Sequence, residues 1–221
     1  MSRFLRIYSR AVKIADKLLV SFRRRAIRND DFTIICNNCW AGYVYRRFGI
    51  PYRTPTVGLY FFADDFVKLC ADLRRYMEMP LEFIPHTESK HAEILKQRDH
   101  THIPIGKLGD IEVVFLHYKT PEEAKDKWDR RAKRINYDNL IFKFSKMNLC
   151  STEALKAFDS LECNKKFCFV PPEDAEQIEC AISVNSARGK TEIANDTATY
   201  AHFINLRKMI NAEKVCGSHM E

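Results

Sequence analysis

An apolar, strand-like run, Phe32-Thr33-Ile34-Ile35-Cys36, empties directly into Asn37, Asn38, Cys39 and Trp40, and a helix-like stretch follows from Ala41 to Phe48. A strand that feeds a helix N-terminus is the repeating unit of α/β folds. It is also where such folds hold ligands, because the free N–H groups and the helix dipole attract anions. The same donors lower the pKa of a thiol placed there. Cys39 therefore stands where a reactive cysteine or a phosphate-holding turn would stand.

The rest of the chain repeats this alternation. Gly49-Ile50-Pro51 stops the first helix, and Pro55-Thr56-Val57-Gly58-Leu59-Tyr60-Phe61 makes a tight approach to the next. Phe66, Leu69, Cys70, Leu73 and Met77 form one helical stripe, with Asp64 or Asp65 as its cap. Leu81 to Ile84 reads as a short strand. Ile111 to Tyr118 is almost continuously apolar and reads as a central strand covered on both faces. Thr120-Pro121-Glu122-Glu123 is a strong helix start, with an N-cap, a proline at N1 and a capping-box glutamate, and that helix runs to about Ile135. Strands at 140–144, 166–170 and 180–184 and helices at 151–162 and near 199–213 complete the pattern. Strands alternating with helices predict an α/β fold, a three-layer α/β/α sandwich on a mostly parallel sheet. A hairpin at Gly109-Asp110 would make that sheet mixed.

Charge divides the chain. Residues 1–28 carry nine basic side chains and one acid, a surplus of eight against seven for the whole chain, so the body is close to neutral. Nucleic acid is therefore not an expected partner of the body. Phe4, Ile7, Tyr8, Val12, Ala15, Leu19 and Phe22 recur at helical spacing among those basic residues. This N-terminal amphipathic helix either lies on an anionic membrane surface or packs on the domain with its polar face solvated. No apolar run is long enough to span a bilayer. Eight cysteines without a signal-like N-terminus point to reduced thiols in a cytoplasm, with the inner membrane surface as a peripheral site. Residues 29–216 are expected to form a single α/β domain, and 217–221 resemble a cloning remnant.

Two sets of residues are candidates for chemistry. If the strands ending at Cys36 and Tyr118 are parallel, then Asn37, Asn38, Cys39, Trp40, His117 and Tyr118 share one edge of the sheet. Asparagine amides offer donors and acceptors to sugar hydroxyls or an oxyanion, Trp40 or Tyr118 offers a stacking face, and His117 offers a general base. The structural alternative is a turn held by asparagines around a buried tryptophan. Cys39 with His117 would also make a nucleophile–base pair for acyl transfer or hydrolysis. Arg130 and Arg131, with Arg134, either hold phosphate or form a solvated helix face.

Other patterns are weaker. Asp110-x-Glu112 places two carboxylates on one strand face, as in metal–nucleotide sites, but at the start of the strand rather than its end. Cys36-x-x-Cys39 has no second pair at zinc spacing, so no metal ligand set is assigned. No Gly-x-Gly-x-x-Gly, Walker-type loop, Gly-x-Ser-x-Gly or His-Glu-x-x-His occurs, and the cofactor is left unassigned.

The motifs FTIICNNCW (32–40), PTVGLYF (55–61), PIGKLGDIEVVFLHY (104–118) and EEAKDKWDRRAKRIN (122–136) occur in this order. Together they resemble a bacterial domain-of-unknown-function family whose members are often labelled exopolysaccharide biosynthesis proteins. The resemblance covers about residues 28–170. It departs from the family pattern at Cys36, where serine is usual, and at Ala41, where glycine is usual. The first departure makes the Cys36–Cys39 pair look incidental. The resemblance implies an α/β/α sandwich and a role near cell-surface polysaccharide assembly, without a mechanism. The function expected is thus a transferase acting on a nucleotide-sugar or lipid-linked saccharide. The alternatives are a non-catalytic interaction module of the same machinery and a Cys39-dependent hydrolase or acyltransferase.

Overall fold

The computed structural model describes residues 19–197 and 203–216. Residues 19–25 are helical, and the remainder of the expected N-terminal helix lies outside the described residues. No helix among the described residues is long and apolar enough to cross a membrane.

The core of the fold is a five-stranded parallel sheet. Its path runs β1 (Thr33–Cys36), β5 (Leu140–Ser145), β6 (Lys165–Val170) and β7 (Ala181–Ser183), and β8 (Val215–Cys216) pairs with the start of β6. Every pairing in it is parallel. Its strands are buried on both faces, as the near-continuous apolar runs require. Side chains alternate along β5: Phe142 and Phe144 enter one core and Ile141 the opposite one. On the first face lie helices α2 (Ala63–Ala71), α5 (Pro121–Ala132) and α6 (Thr152–Asp159). On the second lie α1 (Trp40–Phe48) and α7 (Leu206–Asn211). The chain beyond residue 170 belongs to both cores, through Ile178 and Ala181 on one side and Ile182, Ile193 and Met209 on the other.

The expectation for Ile111–Tyr118 needs correction. This run is not a central strand of the parallel sheet. Only Ile111–Val114 forms a strand, β4, which folds back antiparallel on β3 (Ile105–Leu108); β3 pairs in turn with β2 (Glu82–Ile84) to make a separate three-stranded sheet. Gly109 at φ 58° supplies the left-handed residue that the tight turn requires. A tight turn suits an antiparallel neighbour, whereas joining a parallel sheet would need a long crossover connection. The strand is nonetheless buried on both faces, and its Val114 shares a cluster with Leu95 of α4 (Ala92–Gln97).

Three helices differ in detail. The stripe from Phe66 to Met77 is split at Asp72 (φ −144°, ψ 61°) into α2 and α3 (Leu73–Glu78), and the Asp72 side chain accepts from Arg75 N at 3.4 Å. Phe62 occupies the N-cap of α2, and Asp65 is not a cap: its buried carboxylate pairs with Lys90 and His91. The Thr120 cap forms as expected, accepting from Glu123 N at 3.2 Å, although the helix stops at Ala132. The last helix is confined to Leu206–Asn211, and residues 199–202 of the expected element lie outside the described ones.

Candidate functional site

The β1–α1 turn has two sides, and they do different work. Asn37 points into the protein. Its amide donates to Ser145 O at 3.0 Å and accepts from Ser145 N at 3.1 Å, continuing the β1–β5 pairing beyond the last strand residue. Asn38 Oδ1 accepts from Trp40 N at 3.1 Å, closing an Asx-type turn just before the helix, and its Nδ2 donates to Asp196 at 2.8 Å. Trp40 is fully buried, edge-on to Phe167 and Phe169. Asn37 and Asn38 thus spend their polar groups on the protein, and Trp40 spends its ring faces there.

Cys39 faces the other way, into a pocket of about 330 Å3. His117, Tyr118 and Arg131 line the same pocket, with Arg46, Tyr52, Gly58 and Lys127. His117 arrives by an unexpected route. It follows the antiparallel β4, and its N–H donates to Gly58 O at 2.9 Å, which hooks the hairpin end onto the 55–61 turn. Gly58 has φ 78°, and a Cβ there would stand 3.1 Å from the Tyr118 ring. The close approach that brings His117 and Tyr118 to Cys39 therefore depends on glycine. The expected strand geometry was different, yet these three residues do converge.

The pocket is cationic. Arg131 Nη1 donates to Tyr118 Oη at 2.7 Å and to Val57 O at 3.4 Å, and its guanidinium lies 5.0 Å from the Tyr52 ring centroid. Tyr118 in turn donates to Val57 O. Lys127, one turn before Arg131 on α5, pairs with Glu123 and sits over the Tyr118 ring at 5.4 Å. Arg46 comes from α1, over the Tyr43 ring. Three cations, a phenol held by a guanidinium and an exposed imidazole make a surface suited to an oxyanion. Burial raises the Tyr118 pKa, although Arg131 opposes it, so the phenol stays neutral.

The Cys39 thiol is pushed up to about 11, first by burial and then by the neighbouring Cys36. Helix-dipole activation is outweighed, and Cys39 contributes to the pocket wall as a neutral thiol. Arg130 does not join the pocket; it turns outward and pairs with Asp126 at 3.2 Å. Asp110 is bound by Lys68 and Tyr76, and Glu112 by Ser89 Oγ and Lys90 N, so the two carboxylates are tied into separate structural contacts. No cluster of three metal-ligating side chains occurs among the described residues.

Arg46, Tyr52 and Lys127 were not anticipated. The i, i+4 spacing of Lys127 and Arg131 was a usable signal, since it places both on one helix face. Arg46 and Tyr52 carry no such mark, because they meet Lys127 and Arg131 at the pocket only in the folded chain.

A family model described as a domain of unknown function, DUF1919, matches residues 11–215 of the chain. An uncharacterized protein of Haemophilus influenzae is 29% identical over 146 residues, which is 66% of this chain. The match spans 65% of that relative's length.

Proposed function

The chain belongs to the DUF1919 family, and from that premise we propose that it is a transferase of cell-surface polysaccharide assembly, acting on a sugar donor that carries phosphate. The observation that carries this reading is the cationic pocket, where Arg46, Lys127 and Arg131 surround Tyr118 and His117. Arg131 and Lys127 would hold the phosphate or diphosphate of the donor, with Tyr118, which donates to Val57 O, fixing the Arg131 guanidinium in place. An acceptor hydroxyl would attack the anomeric carbon. The new C–O bond forms as the bond to the phosphate oxygen breaks, the electron pair leaves on the phosphate, and His117 takes the hydroxyl proton. The polysaccharide setting comes from the family resemblance, and the acceptor from the basic stretch 1–28, which would hold the protein against an anionic membrane where lipid-linked saccharides reside.

The raised Cys39 pKa weighs against a cysteine hydrolase. An interaction module that uses the same pocket is the competing reading, and His117→Ala separates the two: a transferase loses turnover with its fold kept, while a module, which has no turnover, keeps its partner. The first test is a thermal-shift screen of nucleotide sugars, free nucleotides and neutral sugars, with and without magnesium or manganese. Phosphate-bearing donors should raise the melting temperature and neutral sugars should not. Arg131→Ala should weaken donor binding roughly tenfold to a hundredfold, the size of one lost charge-assisted contact. A panel without any shift moves the reading to the module or to a lipid-linked donor. Vesicle flotation of the full chain and of a chain lacking residues 1–28 checks the membrane claim, which equal behaviour would sink.

A further inference from the structure

Behind the β1–α1 turn, on the side away from the Cys39 pocket, lies a second set of oxyanion donors. Lys143 is fully buried in the middle of β5, with its ammonium 5.2 Å from the Phe169 ring centroid and 5.7 Å from that of Trp40. Packing alone would favour an apolar residue there, since a buried ammonium costs several kcal/mol unless it is paired and hydrogen-bonded. Its Nζ donates to Ser145 Oγ at 2.5 Å and to Asn38 Oδ1 at 3.2 Å. The charge partner is Asp196. That carboxylate is enclosed by donors on all sides: Lys143 and Ser145 Oγ (2.5 Å) reach Oδ2, and Asn38 Nδ2 reaches Oδ1. Trp40 Nε1, also buried, has no hydrogen-bond partner among the described residues.

A second donor set lies just beyond the end of β5. Asn148 and Leu149 both hold left-handed backbone, at φ 59° and 65°, which asparagine tolerates and which is strained for leucine. The amides that follow, Leu149 N and Cys150 N, converge on one oxygen, Glu192 Oε1, at 2.7 and 3.3 Å. Consecutive amides arranged in this way form an anion-binding nest. Glu192 and Asp196 belong to one short segment that is neither helix nor strand, and Ile193 N pins it to Lys146 O at 2.8 Å. One strap thus delivers two carboxylates into two oxyanion-type donor sets, both at the C-terminal edge of the parallel sheet, the edge where open α/β sheets bind ligands.

We propose that Lys143, Ser145 and Asn38, together with the Leu149 and Cys150 amides, form a phosphoryl-binding site, and that residues 192–196 occupy it in cis as a carboxylate strap. The ligand class is a phosphate monoester or diphosphate, whose oxygens would replace those of Asp196 and Glu192. The site is separate from the Cys39–His117 pocket and does not rest on the transferase reading.

The test uses the full chain with inorganic diphosphate as probe, following binding by calorimetry and hydrogen–deuterium exchange in residues 190–197. Diphosphate should increase exchange in that segment of the wild-type chain. Glu192→Gln removes one competing carboxylate without unpairing Lys143, and should tighten diphosphate binding about tenfold. Lys143→Met should abolish the exchange response, and Arg131→Ala should leave it intact. Lys143→Met is judged only if its circular dichroism is that of the wild type; if it unfolds, the Glu192→Gln result decides alone. Binding that leaves the 190–197 exchange unchanged, or that Arg131→Ala removes, places the anion in the other pocket and overturns the proposal. So does a folded Glu192→Gln chain that binds diphosphate no more tightly than the wild type, or not at all.

Discussion

Two opposing effects act on the Cys39 thiol. It sits at the N-cap of α1, where free amides favour a thiolate, yet burial and the neighbouring Cys36 push its pKa to about 11. Burial wins because only part of a helix dipole reaches a residue at the cap, while the desolvation penalty acts on the whole charge. The other seven thiols are raised as well, each first by burial. Alkylation of Cys39 by iodoacetamide should therefore be slow at pH 7.5 and accelerate as pH rises toward 11. Cys39→Ala should keep donor binding within about twofold. Rapid labelling at neutral pH, followed by mass spectrometry of the 32–48 peptide, would contradict the assignment of Cys39 as a wall residue. Of the residues that line the pocket, Cys39, His117, Tyr118 and Arg131 were legible because each is chemically distinctive at a strand end or helix face. The buried roles of Asn37, Asn38 and Trp40 were not, since a polar turn residue reads the same whether it faces solvent or Ser145. Nor was Lys143, which within LIFKFS gives no sign of pointing into an aromatic core.

At the scale of elements, one carboxylate joins the two halves of the first core. Asp110, in the β3–β4 turn, accepts from Lys68 on α2 at 2.7 Å and from Tyr76 on α3 at 2.8 Å. These contacts hold its pKa down at about 2, the Lys68 contact contributing most, while burial first and the Asp110 contact second push Tyr76 up to about 12. The folded value lies below the unfolded one, so the stabilisation is fully present above about pH 4 and is lost as pH falls toward 2. The side chain is half exposed, at 53%, so solvent screening limits the contribution to about 1 kcal/mol or less. Urea titrations of the wild type and Asp110→Asn should show a constant gap at pH 5–7 that closes between about pH 4 and the lowest pH at which the chain still folds. A gap that widened on acidification would mean that the contact is not ionic. The sequence marked the elements this clamp joins but not their arrangement. Periodicity located the α2 stripe and the β4 run, yet a continuous apolar strand looks the same in a parallel sheet and in a buried hairpin. The Gly109-Asp110 turn was the deciding signal, and its weight becomes clear only when the alternative is a long crossover.

For the whole molecule, the question is whether the two sheets fold as one. Leu81, Leu108 and Phe115, from the small sheet and its flanks, share a core with Ile35, Phe142 and Phe144 of the parallel sheet. Packing that continuous should make unfolding cooperative across both. Gly106 is the place to test it. A Cβ there would stand 2.6 Å from Leu81 Cδ1 and 2.7 Å from Phe115 Cε2, so Gly106→Ala overpacks the small sheet and should cost about 1–3 kcal/mol. For a chain of this size that lowers the melting temperature by roughly 2–4 °C per kcal/mol. The two tryptophans report from opposite faces: Trp128 in the shared core and Trp40 in the core beyond the parallel sheet. With Trp128→Phe and Trp40→Phe backgrounds, each fluorescence signal follows one face alone. If the sheets are coupled, Gly106→Ala shifts both signals together, although the substitution lies nowhere near Trp40's core. If the small sheet melts as its own unit, Trp128 fluorescence moves to lower temperature and Trp40 fluorescence stays where it was. The pocket draws Cys39 from one unit and His117 from the other, so that second outcome would also mean that it opens before the parallel sheet unfolds.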